Sequence, residues 1–147
     1  MKLSLKQVER IDRLSRETGR RFRALIVDDE PWVSSTFREF CLLSPQIDVD
    51  VACNGLEALE KLTEESYDFA TVDLIMPELS GVETVGRIKQ ISPGLPVMIV
   101  TGNATEKLKE QAGCAGACKI LEKPVDVTEF LAEVLDILER NTLGTGR

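Results

Sequence analysis

Residues 24–29 read Ala24-Leu25-Ile26-Val27-Asp28-Asp29, four apolar residues closed by two carboxylates. The pattern returns three times. Phe69-Ala70-Thr71-Val72 is closed by Asp73, Val97-Met98-Ile99-Val100 by Thr101, and Lys119-Ile120-Leu121-Glu122 is followed by Lys123. Short apolar runs bounded by turn residues read as buried strands. All five polar groups then emerge at strand C-terminal ends, the edge where open α/β sheets bind their ligands. Charges clustered against apolar strands are costly unless compensated, so the cluster points to chemistry.

Outward from these runs, strand and helix alternate five times. Strands are predicted at 23–27, 47–52, 69–73, 97–101 and 117–121. Pro31 suits the first turn of a helix over 31–43, where its missing N–H would be unpaired anyway. Asn54-Gly55 opens a second helix with Leu56, Leu59 and Leu62 on one face. Gly81 precedes a third over 82–91, ended by Ser92-Pro93-Gly94. A fourth over 104–112 is weakly apolar and is expected to be the loosest element. A fifth over 126–140 spaces Val127, Phe130, Leu131, Val134, Leu135 and Leu138 at helical intervals. This alternation predicts an α/β fold, a doubly wound parallel five-stranded sheet with helices on both faces.

Ahead of the first strand, Leu3, Leu5, Val8, Ile11 and Leu14 suit an amphipathic helix over 3–18, ended by Gly19. Residues 1–22 are thus a basic helical extension or linker, either solvated or packed on the domain or on a second copy. Residues 23–140 form one domain, and 141–147, without periodicity, a flexible tail. Residues 1–23 hold eight Lys/Arg against three Asp/Glu, and 24–147 hold ten against twenty-two, within a total net charge of −7. The acidic body repels nucleic acid and anionic membrane. The basic segment lacks the aromatic residues and broad apolar stripe of a nucleic-acid or membrane arm.

At 147 residues and 43% hydrophobic content, the chain is long enough to bury a core without disulfides or metal. No apolar stretch approaches the ~20 residues that span a bilayer, and no signal-peptide core opens the chain. A soluble cytoplasmic protein is expected. Cys41, Cys53, Cys114 and Cys118 do not read as a disulfide framework. With no histidine in the chain, Cys114-x3-Cys118 reads as reduced thiols rather than a metal site.

With carboxylates about 5 Å apart, Asp28, Asp29 and Asp73 would repel by about 3 kcal/mol per pair at an effective dielectric of 20. A bound cation or a retained proton must offset this. Oxygen-only ligands select a hard divalent ion, and a partly open carboxylate site suits Mg²⁺. Lys123 adds a fixed cation and Thr101 a hydroxyl donor, which together favour a phosphoryl group beside Asp73. A carboxylate can itself be phosphorylated as a nucleophile. Singly, each residue has a plainer role: Asp28-Asp29 as a helix cap, Asp73 and Lys123 in turns, Thr101 as a strand former. Five such residues at the ends of four alternating strands are harder to ascribe to chance.

Leu25-Ile26-Val27-Asp28-Asp29-Glu30, the stretch from Val72-Asp73-Leu74-Ile75-Met76-Pro77 through Gly81, Ile99-Val100-Thr101-Gly102 and Glu122-Lys123-Pro124 resemble the receiver domain of two-component response regulators. The resemblance covers about residues 22–140. Intervals of 45 residues from Asp28 to Asp73, 28 on to Thr101 and 22 on to Lys123 agree with it. It implies a flavodoxin-like fold in which Asp73 accepts a phosphoryl group from a histidine kinase, a histidine phosphotransfer protein or a small acyl phosphate. It implies Mg²⁺ held by Asp29, Asp73 and the backbone carbonyl of Ile75, with Asp28 acting mainly through water. Lys123 and Thr101 would meet the phosphoryl oxygens, Gly102 would leave the approach open, and Lys123-Pro124 would be cis.

Such a protein signals by contact with a downstream target or attached output domain, through residues 104–112, 117–121 and 126–140. A homodimer and a free-standing chain are both left open, as is a fragment of a larger protein. Two positions depart from the family pattern. Ile120 stands where an aromatic residue often transmits the phosphorylation signal. Ile75 stands where polar side chains are common, so it cannot orient an attacking water, although Asn103 still could. A long-lived phosphoryl group is the expectation. A phosphatase of the haloacid-dehalogenase kind would need a second acid at Ile75. A phosphorylation-independent interaction module would not need the complete acidic set.

Overall fold

The computed structural model describes residues 2–102 and 105–143. Along the chain run α1 (Lys2–Thr18), β1 (Phe22–Val27), α2 (Pro31–Cys41), β2 (Ile47–Ala52), α3 (Gly55–Glu64) and β3 (Phe69–Val72). They are followed by α4 (Gly81–Ile91), β4 (Val97–Thr101), α5 (Glu106–Ala115), β5 (Lys119–Glu122) and α6 (Val127–Leu143). The five strands form one parallel sheet in the order β2-β1-β3-β4-β5. The chain steps outward from β1 to β2, then crosses back to β3 on the other side of β1. The gap above the β1/β3 pair is therefore the topological switch point, where ligands of such sheets bind.

Alternation along the strands divides the core in two. Ala24, Ile26, Met98 and Val100 face one layer, with α1, α2 and α6. Leu25, Val27, Val97 and Ile99 face the other, with α3, α4 and α5. On the first face Phe37, Phe40 and Phe130 stack at centroid separations of 5.1 to 5.8 Å. Caps fix where helices begin: Asn54 accepts from the Glu57 N–H at 2.8 Å, and Ser80 from the Glu83 N–H at 3.2 Å.

Helix α1 adopts the packed alternative. Val8, Ile11 and Leu14 are buried beside Phe130, Leu131, Val134, Leu135 and Leu138 of α6. Arg10 pairs with Glu139 at 2.7 Å, and Ser44 donates to Asp12 at 2.7 Å. Much of the N-terminal positive charge is turned inward on the acidic body. Arg20 pairs with Asp68, Arg21 with Asp48 at 2.7 Å, and Arg23 with Asp50 at 3.3 Å and Glu65 at 3.5 Å.

Several boundaries move from their expected places; α2 ends at Cys41 rather than 43, and β3 at Val72 rather than 73. The 141–147 stretch, expected to be a flexible tail, continues α6 as far as Leu143; residues 144–147 lie outside the described residues. The added turn follows a helix whose Ile137 and Leu138 are buried and whose Glu139 is tied to α1, contacts invisible to local periodicity. The fourth predicted helix runs 106–115 rather than 104–112. Thr105 caps it by accepting from the Leu108 N–H at 3.1 Å, and Gly116, at φ 119°, closes it. The Ala117 N–H donates back to Ala112, so β5 starts at Lys119 rather than 117.

Ile11 is fully buried. Ile11→Ala is expected to lower unfolding free energy by about 2–4 kcal/mol in urea titration, as for a core position. A change within about 0.5 kcal/mol would mean that α1 is a solvated appendage.

Candidate functional site

The parallel register sets Val27 opposite Val72. The Asp73 N–H donates to Val27 O at 3.1 Å, and the Asp28 N–H to Ala52 O at 3.1 Å. Asp28 and Asp73 therefore leave the sheet from adjacent strands at the same height. With Asp29 they present one carboxylate oxygen each, all within 4.8 Å of one another. Asp28 and Asp73 are buried, while Asp29 is exposed. Asp29 and Asp73 of the cluster line a crevice of about 350 Å³ together with Glu30, Ile75, Thr101, Gly102 and Lys123.

Lys123 arrives from the far side of the sheet. Its N–H donates to Thr101 O at 2.8 Å, fixing the start of the β5–α6 loop. Its ammonium then lies 3.1 Å from Asp28 Oδ2 and 3.5 Å from Asp73 Oδ2. A single cation thus bridges the two buried carboxylates. Burial still pushes the Asp28 carboxyl above the ordinary carboxylate range and nearby Asp73 adds to this, against the Glu30 N–H and Lys123, which pull it down. Asp28 does not cap α2, whose N-cap residue is Glu30 with no side-chain cap; Asp28 Oδ1 instead accepts from the Glu30 N–H at 3.0 Å, one turn residue ahead of the helix. Thr101 is buried at the end of β4, and Lys123-Pro124 is cis.

The loop after β3 is shaped around Asp73. Asp73 Oδ1 accepts from the Ile75 N–H at 3.3 Å, and Glu78 takes a left-handed turn at φ 68°. That turn brings Gly81 so close that a Cβ there would lie 2.3 Å from Asp73 O and 2.4 Å from Leu74 Cα. Glycine is required at this position because α4 starts directly against the backbone of the central carboxylate. Sequence reading placed Gly81 in a motif without seeing this support.

The fold brings together Asp28, Asp29, Asp73, Thr101 and Lys123, with Ile75 on the crevice rim, 51% exposed. Asn103 lies outside the described residues. Sequence reading passed over an apolar groove of about 340 Å³ beside Lys123, lined by Trp32, Val33, Phe37, Pro124 and Val125. Trp32 is 70% exposed. A lone tryptophan directly after the helix-starting Pro31 was the available signal. An open cluster of carboxylate oxygens, with a cation already in place to share the charge, has the donor chemistry of a Mg²⁺ site.

The raised Asp28 carboxyl means that the folded protein holds a proton that the unfolded chain releases. Stability of the metal-free protein therefore falls as pH rises from the ordinary carboxylate range through the raised folded value. Asp28→Asn should flatten that fall and raise the midpoint of thermal unfolding at pH 7 in EDTA. An equal or lower midpoint would show that Lys123 and the Glu30 N–H outweigh the burial.

A family model described as "Response regulator receiver domain" matches residues 24–135. The chain is 35% identical over 119 residues to the transcriptional regulatory protein CpxR homolog of Haemophilus influenzae, covering 81% of this chain and 51% of that protein. It is 33% identical over 85 residues to the response regulator receiver protein CpdR of Brucella abortus, covering 58% of this chain and 71% of that one. The chain thus spans about half the length of the Haemophilus relative. Among solved structures it superposes on a CheY-like receiver domain protein from Methanospirillum hungatei with TM-score 0.77 and 27% identity, covering 82% of this chain and 98% of that one. None of the chain's helices, among the described residues, is long and apolar enough to cross a membrane. The sheet order, the acidic crevice and these matches agree, and the chain belongs to the response regulator receiver domain family.

Proposed function

We propose that this chain is the phosphoacceptor of a two-component relay, with Asp73 as the residue phosphorylated. The observation that carries the reading is Lys123, whose ammonium bridges Asp28 and Asp73 at 3.1 and 3.5 Å at the sheet's switch point. A carboxylate oxygen of Asp73 attacks phosphorus in a phosphohistidine or a small acyl phosphate. A P–O bond to Asp73 forms as the P–N bond to imidazole, or the P–O bond to the acyl group, breaks. The leaving group departs as neutral imidazole, after taking a proton, or as a carboxylate. Lys123 and Thr101 hold the phosphoryl oxygens from the β4–β5 side, and Gly102 keeps the approach clear of a side chain. Mg²⁺, when bound by Asp28, Asp29, Asp73 and the Ile75 carbonyl, would supply positive charge opposite the transferring oxygens.

Apolar Ile75 at the rim offers no group to orient a water, which favours slow loss of the phosphate. The chain has the parts of an acceptor rather than of a turnover enzyme. Its phosphodonor would be a histidine kinase or histidine phosphotransfer protein, and its readout a contact with a target or an attached output domain. The exposed Trp32 groove beside Lys123 supports a docking role, since exposed aromatic anchors next to a pocket are typical of interfaces.

Incubation with acetyl phosphate and Mg²⁺ should add one phosphate to the native chain by intact mass and none to Asp73→Asn. Equal labelling of both would remove the central claim, and phosphate loss as fast as in Ile75→Asn would remove the slow-decay part. Trp32→Ala should leave acetyl phosphate labelling unchanged. It should slow transfer from a histidine kinase that phosphorylates the native chain by roughly tenfold, the loss of one aromatic anchor. Unchanged transfer would place the docking surface elsewhere.

A further inference from the structure

Among the described residues, three of the six exposed large hydrophobic side chains belong to one stretch, Trp32, Leu42 and Leu43 at the two ends of α2. Trp32 is 70% exposed and Leu43 51%. The Leu43 N–H donates to Phe40 O at 3.3 Å, so the chain keeps a helical turn just past the end of α2. Trp32, Thr36, Phe40 and Leu43 are spaced four, four and three residues apart and therefore share one flank. At its Trp32 end that flank borders the 340 Å³ groove, which Pro124 and Val125 close from the other side. The flank thus carries a hollow at one end and a projecting leucine at the other.

That order is its own complement. A two-fold axis perpendicular to α2, passing near its middle, sets a second α2 antiparallel to the first. Trp32 then faces Leu43 of the second copy, Thr36 faces its Phe40, and each leucine enters the other chain's groove. Pairing of one patch with itself is what closes a two-fold dimer. Charge agrees with the arrangement. Glu30, just ahead of the Trp32 end, is exposed. At the other end Ser44, next to Leu43, donates to Asp12 of α1 at 2.7 Å. Arg16, one turn beyond Asp12 on the same flank of α1, is exposed and enters no ion pair among the described residues. The antiparallel arrangement brings Arg16 of each chain toward Glu30 of the other.

We propose that this chain pairs with a second copy of itself through the Trp32–Leu43 flank of α2. Helix α1 leaves that flank open, because its own apolar stripe of Val8, Ile11 and Leu14 is buried beside α6. Trp32, Leu42, Leu43 and their rim would bury roughly 500 Å² per chain, about 1,000 Å² in all, the low end for a specific interface. The dimer is therefore weak and forms by mass action. It also covers the groove beside Lys123, so a second copy competes with any phosphodonor that docks there. The pairing itself does not depend on Asp73 being phosphorylated.

The test is sedimentation equilibrium of the full chain, with no phosphodonor present, from about 10 µM to about 1 mM, the range suited to a small interface. Trp32 is the chain's only tryptophan, so its fluorescence reports directly on burial at the contact. Native protein is expected to pass from monomer to dimer, with Trp32 emission moving to the blue in step. Leu43→Asp should raise the dissociation constant at least tenfold and abolish the blue shift. Arg16→Glu should raise it about threefold, and Arg16→Glu combined with Glu30→Arg should restore it. A native chain that stays monomeric throughout overturns the pairing and leaves the groove to the phosphodonor. A dimer that survives Leu43→Asp, or forms with no change in Trp32 emission, overturns it too and puts the interface elsewhere. A reversed charge pair that fails to recover overturns the antiparallel arrangement, and the proposal with it.

Discussion

Parallel pairing of β1 with β3 is the constraint from which the rest of the site follows. Val27 and Val72 face each other in that pair, so the residues after them, Asp28 and Asp73, leave the sheet side by side. Two buried carboxylates this close need a retained proton or positive charge between them. Lys123 supplies it, and reaches the spot because its own N–H is pinned to Thr101 O at the end of the neighbouring strand. The sheet thus positions the acids and sets the length of the arm that neutralises them. Asp29, exposed beside them, leaves the cluster open to solvent and to an incoming ion.

The same economy of position governs the loop behind Asp73. Gly81 lies so near the Asp73 backbone that no side chain fits between, so α4 buttresses the central carboxylate directly. Glu78 accepts a left-handed backbone to make that approach. Rigidity on this side contrasts with the sparse packing of α5 on the other. Low local stability is where moving elements are found in general.

The N-terminal helix alters the balance of the molecule. With α1, three helices cover each face of the sheet, and α6 is clamped between α1 and α2 by Ile11, Leu14 and the phenylalanine cluster. The surface of α6 that meets α1 is therefore occupied within the chain. The arginines of the first segment, which by composition alone suggest a free basic arm, are largely engaged with Asp48, Asp50, Asp68 and Glu139.

By itself, the sequence determined the alternation of strands and helices, the parallel sheet, and the five residues that gather at its C-terminal edge. These depend on local periodicity and on which residue closes each apolar run, both carried by neighbours in the chain. The helix ends at Thr105 and Gly116 were written there too, as a cap and a left-handed closure, yet weak apolar periodicity over α5 hid them. Only the tertiary structure decided that α1 packs on α6, that α6 continues to Leu143, that Gly81 supports Asp73, and that Trp32 lines a groove beside Lys123. Each of these is a contact between segments remote in sequence, fixed by strand order, register and distance rather than by any pattern a single stretch can display.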